Sequence, residues 1–151
     1  MWKNGNIPTQ EIQGEITNNT VKFAEDFGTY LAKDEYKKDD KSGDKPLTTT
    51  QLRRFFGEVK RQQMMGYNAT SFVMLKPKLA YAVGRAKKSE KAGQNKAGKI
   101  VRVKIEDFYT VIAKAIDDVE AAPDKKKAFK NFIMAFEAIV AYHKANEQNN
   151  D

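Results

Sequence analysis

The sequence predicts an all-α chain, a compact bundle of about five helices with a basic loop between the third and the fourth. Three observations carry that expectation. Apolar residues recur at steps of three and four in five separate stretches, the spacing of helices that bury one face. One helix start is written in capping residues, Thr48 followed three positions later by Gln51. Only Ile100-Val101-Arg102-Val103-Lys104 alternates like a strand, and with no second run to pair it, it reads as extended chain.

Taken in order, residues 1–16 have no helical pattern and read as a flexible N-terminal segment, with Trp2 either a partner contact or loose. Residues 17–147 read as one helical domain and 148–151 as a disordered tail. Phe23, Phe27, Tyr30 and Leu31 give a first helix over about 17–37. The apolar-free, turn-rich stretch 37–46 is a loop. Thr48 and Gln51 form a capping box, Leu47 and Leu52 a hydrophobic staple, and Leu52, Phe55, Phe56 and Val59 the buried stripe of the second helix. Gly66-Tyr67-Asn68 ends it, and Thr70 or Ser71 can cap the next. The third helix, about 71–88, faces Phe72, Leu75, Leu79, Ala82 and Val83 inward, with a kink or a later start expected at Pro77. Residues 86–99 form a mobile Gly- and Lys-rich loop. Ile105, Phe108, Ile112, Ile116 and Val119 define the fourth helix, stopped by Ala122-Pro123. Asp124 caps a fifth, whose stripe is Phe129, Phe132, Ile133, Phe136 and Val140.

Composition removes several kinds of chemistry. With no Cys there is no disulfide scaffold, zinc finger or thiol nucleophile, and one His leaves no His-rich metal site. No apolar run is long enough to span a membrane and the first residues lack a signal-peptide core, which points to a cytoplasmic protein. Gly93-Gln94-Asn95-Lys96-Ala97-Gly98-Lys99 fits the G-x-x-x-x-G-K spacing of a phosphate-binding loop, but Ile100 stands where Ser or Thr would hold Mg²⁺, and no strand-to-helix context surrounds it. His143 reads as an edge-of-core residue near a helix C-terminus. Asp39-Asp40, Glu106-Asp107 and Asp117-Asp118 are sequence neighbours that point about 100° apart on a helix, so none makes a general acid–base pair. The expectation is a protein without catalytic residues, metal or cofactor.

Charge is the positive signal. The 151 residues hold 27 Lys+Arg against 20 Asp+Glu, a formal +7. Residues 45–104 alone hold 15 Lys/Arg and two acids, a net +13, which leaves −6 for the rest. A chain polarised in this way can set one face against a polyanion, and a solvated Lys-rich surface is the plainer alternative. On the second helix Arg53 and Lys60 flank the apolar stripe, with Arg54 and Arg61 further round. Arg85, Lys87 and Lys88 extend the basic surface from the third helix into the loop. Most aromatics fall on apolar stripes; Tyr67, Tyr81 and Trp2 are the few that could stand free for base stacking, with core or staple roles the plainer reading of each. Contact with nucleic acid is therefore expected to be to the phosphate backbone and independent of base sequence.

Leu47-Thr48-Thr49-Thr50-Gln51-Leu52-Arg53, then Leu79-Ala80-Tyr81-Ala82-Val83-Gly84-Arg85, then Phe136-Glu137-Ala138-Ile139-Val140-Ala141-Tyr142, occur in an order and at distances that resemble the small helical subunit of type III-A CRISPR interference (Csm) complexes. The resemblance covers about 46–144. It implies an all-α, non-catalytic RNA-binding subunit, present in several copies stacked on one another along the crRNA–target RNA duplex and bound to the other effector subunits. Of the basic positions, Arg53 and Arg85 lie within matched motifs; Arg54, Lys60 and Arg61 come from the helical face alone. The loop 87–99, Pro77 and the first sixteen residues depart from the pattern. A free-standing DNA-binding protein of helix-turn-helix type and a protein-interaction module are the other readings.

Overall fold

The computed structural model describes residues 1–147; the expected tail, 148–151, lies outside the described residues. Five long helices form where the periodicity places them: α2 (Asn18–Ala32), α3 (Thr49–Met65), α5 (Leu75–Ser89), α6 (Ile105–Glu120) and α7 (Lys125–Asn146). Two short ones, α1 (Thr9–Gln13) and α4 (Ala69–Val73), join them. Helices α2 and α7 form the most extensive pair, α1 and α6 lie against α7, and α5 packs on α6. At Gly28 the backbones come so close that an added Cβ would lie 2.8 Å from Tyr142 Cβ and 2.9 Å from the Ile139 carbonyl oxygen. The core is aromatic in the middle. Phe108, Phe132 and Phe136 are fully buried, and Phe55 meets Phe108 and Phe136 edge-on at 5.8 and 5.7 Å.

The capping box of α3 forms as its residues require: the Thr48 hydroxyl accepts from the Gln51 N–H, and Gln51 Oε1 accepts from the Thr48 N–H. Asp124 caps α7 through the Lys127 N–H at 3.1 Å. The third predicted helix is divided at Met74 into α4 and α5. Asn68, rather than Thr70 or Ser71, supplies the cap of α4, accepting from the Ser71 N–H at 2.9 Å. Pro77 is the third residue of α5, inside the first turn, where its missing N–H costs no helical hydrogen bond.

The chain is mostly helical, but a wholly α architecture is corrected by a small four-stranded sheet. It comprises β1 (Glu35–Lys37), β2 (Ser42–Lys45), β3 (Gly93–Gln94) and β4 (Ile100–Val103), in the order β1-β2-β4-β3. The expected loop at 37–46 is the β1–β2 hairpin, and the extended run at 100–104 finds β2 as a parallel partner, with Lys45 opposite Val103. The Gly- and Lys-rich stretch becomes the β3–β4 hairpin. In its turn, Asn95 Oδ1 accepts from the Ala97 and Lys99 N–H groups, each at 3.0 Å, so amides that a phosphate cradle would offer are already bonded within the turn.

Residues 1–16, expected to be loose, are packed. Ile7 and Ile12 are buried, and the Trp2 ring lies 4.8 Å from Phe27 and 5.8 Å from Phe23. Glu11, 3% exposed, accepts from the N–H and hydroxyl groups of both Thr17 and Thr20 at the start of α2. His143 is also a core residue rather than an edge one. Its Nε2 lies 2.7 Å from the Leu47 carbonyl oxygen, which can only accept, so Nε2 carries the proton.

Candidate nucleic-acid interface

The basic face is built on α3 and α5, two helices whose apolar stripes point to the same core. Leu52, Phe55 and Val59 fix the rotation of α3, and Leu75, Leu79, Val83 and Ala86 that of α5. Between their outer edges runs an open cleft of about 450 Å³. Arg54 and Gln51 line it from α3; Lys78 and Arg85 line it from α5; Phe55, Ala82 and Ala86 form its apolar floor. One carboxylate sits inside. Glu58 takes hydrogen bonds from Arg61 at 2.6 Å and Lys78 at 2.8 Å, and these two cations hold its acid well below the ordinary carboxylate range, at about 2. A single anion bridges two cations there, and the cleft keeps a net positive charge.

The expected site residues divide into three groups. Arg54 and Arg85 are brought together across the cleft, and Lys88 is exposed on the last turn of α5. Arg53 points to the other side of α3, where it borders a slot with Phe56, Val140 and Lys144 of α7. Arg53 and Arg85, the two motif arginines, therefore do not share a cavity. Lys60, Arg61 and Lys87 are already paired, with Glu137 at 2.7 Å, Glu58 at 2.6 Å and Glu106 respectively. Among the described residues, Arg53, Arg54, Arg85 and Lys88 have no carboxylate within ion-pairing distance. Lys87 and Lys88 belong to α5 itself rather than to a mobile loop.

Two residues of the cleft, Lys78 and Glu58, escaped the sequence reading. Lys78 precedes Arg85 by seven positions, two helical turns, so its place on the same face was legible from spacing. Between them on α5 stands Tyr81, one of the three aromatics the sequence left open as free, and it is exposed, whereas Trp2 and Tyr67 are packed against other rings. Glu58 as a bridge to Lys78 has no local signal, because its partner is 20 residues away on another helix. Nor does Lys104, 1% exposed, whose Nζ donates to the Tyr30 and Lys33 carbonyls at 2.7 and 2.9 Å and to Glu35 at 2.6 Å. It closes the C-terminal end of α2, where a cation meets unpaired helix carbonyls.

No described helix is long and apolar enough to cross a membrane. No curated protein and no solved structure matches the chain. A family model does, that of Csm2 Type III-A, over residues 15–149. Small subunits of this kind are non-catalytic structural components that associate with the other subunits of the complex. The match spans α2 through α7, the helices that form the basic face and the core beneath it, and the chain belongs to the Csm2 family, the small subunit of the type III-A CRISPR Csm complex.

Proposed function

We propose that this small subunit binds RNA without catalysing its cleavage, stacking in several copies along the crRNA–target RNA duplex and holding the phosphate backbone with the α3–α5 face. The observation that carries the reading is the pairing of Arg54 and Arg85 across the cleft, two exposed guanidinium groups beside Lys78 and without a carboxylate of their own. Guanidinium groups bind phosphate oxygens through paired N–H donors, and backbone contacts of this kind are independent of sequence. Lys88 extends the track along the last turn of α5, and Arg53, on the other side of α3, offers a separate contact. Lys60, Arg61 and Lys87 contribute to the local potential while keeping their carboxylate partners.

Fluorescence anisotropy of the protein with labelled single-stranded RNA, duplex RNA and duplex DNA, each titrated with salt, tests this reading. RNA binding should weaken steeply with salt, and an Arg54→Ala/Arg85→Ala variant should lower the slope of log K against log salt by about 1.4 on single strands. Arg53→Ala should lower it by about 0.7. An Arg54→Ala/Arg85→Ala variant with the wild-type slope would overturn the assignment of the cleft, and tight sequence-specific binding to duplex DNA would overturn the RNA reading itself.

A further inference from the structure

Tyr81 is the one aromatic side chain that stands exposed among the described residues, at 69%, whereas the phenylalanines and Trp2 are buried or packed against other rings. It projects from the middle of α5, one turn after Lys78 and one turn before Arg85, whose guanidinium carbon lies 5.9 Å from the ring centroid. The helix that carries it, Leu75–Ser89, contains Lys76, Lys78, Arg85, Lys87 and Lys88 and no carboxylate. Beside it, Gly84 leaves open space, with no atom within 4 Å of where a Cβ would stand. The contact with Arg85 leaves most of the ring open to water.

We infer that Tyr81 is a stacking platform for an unpaired nucleobase, with the adjacent phosphates held by Arg85 and Arg54. This rests on the proposed reading of the α3–α5 cleft and adds to it a preference for a nucleotide outside the duplex. The cations decide the class of ligand. Lys76, Lys78 and Lys87 already hold carboxylate partners, which leaves the Arg85 guanidinium beside the exposed ring, and a nucleotide supplies a π-face for the one and an anion for the other together. A base within a duplex has both faces covered by its neighbours, so the ring can reach only a base that is unpaired or displaced.

The test uses the full chain, with Tyr81→Leu and Tyr81→Phe variants and RNA oligonucleotides carrying 2-aminopurine at an unpaired position, with the fully paired duplex as control. Wild type and Tyr81→Phe should change the emission of the unpaired 2-aminopurine, and Tyr81→Leu should not. Tyr81→Leu should weaken binding to the unpaired substrate about tenfold, with an unchanged salt slope and unchanged affinity for the duplex. Equal emission change and equal affinity in wild type and Tyr81→Leu, with salt-dependent binding intact, would overturn the stacking role and leave the phosphate track standing. Absence of salt-dependent binding to any RNA would remove both. Loss of assembly with the other subunits in Tyr81→Leu, with RNA binding unchanged, would assign the ring to a protein contact and overturn the inference.

Discussion

Glu11 shows how one side chain can organise a helix start from outside the helix. Burial by itself would raise its pKa, but the hydrogen bonds from Thr20 and Thr17 win and hold it at about 2, against 4.5 for a free Glu. A carboxylate whose folded pKa is depressed stabilises the fold above its unfolded pKa, and that contribution fades as the pH falls from 4.5 towards 2. A shift of this size corresponds to stability on the order of 3 kcal/mol. Glu11→Gln should therefore lower stability at neutral pH, and it should flatten the acid limb of a urea-denaturation series between pH 5 and 2 (roughly) relative to wild type. An unchanged acid limb would mean that the four hydrogen bonds contribute nothing net.

Two glycines in helices should respond to alanine with opposite signs. Gly28 lies where α2 meets α7, and a methyl group there would collide with the backbone of Ile139 and His143. Gly28→Ala should destabilise the protein by about 1–3 kcal/mol as the helices separate. Gly84 has open space around its Cβ position, so Gly84→Ala should stabilise α5 by roughly 0.5–1 kcal/mol. Thermal melts of the two variants check both signs. At this scale the long helices were legible in the sequence, because a 3.6-residue apolar period extends over 15 residues or more in α2, α3, α5, α6 and α7. The sheet was not. Ser42-Gly43-Asp44-Lys45 has no alternation to read, and it is held as a strand between β1 on one side and Val101, Arg102 and Val103, from far along the chain, on the other. The cations of the candidate site were legible as basic positions off the apolar stripes of α3 and α5. Which of them are already engaged was not, since Glu137 and Glu106 come from other helices.

In the whole molecule, the first residues are part of the core although the family match begins only at residue 15. Ile7 and Ile12 are 2% and 0% exposed, and the Thr9 hydroxyl and the Gln13 amide both donate to Asp118 of α6. Removing residues 1–14 should cost about 3 kcal/mol or more from the two isoleucines alone. The urea midpoint should fall accordingly. A loose tail would leave it unchanged.

The basic stretch 45–104 leaves the sheet at β2 and rejoins it at β3 and β4, and its two ends are joined by a hydrogen bond from the Lys104 N–H to the Lys45 carbonyl at 2.9 Å. Between those points it is tied to the acidic remainder by Lys60–Glu137, Lys76–Asp117 and Lys87–Glu106. The protein thus carries internal counter-ions. On the proposed reading, an incoming phosphate chain would compete with a tethered carboxylate at Lys60, Lys76 or Lys87, whereas Arg53, Arg54, Arg85 and Lys88 have no carboxylate to give up among the described residues. On that reading the unclaimed cations would engage phosphate first, and Lys60, Lys76 and Lys87 would be released only where phosphate density is high enough to replace the carboxylate each gives up.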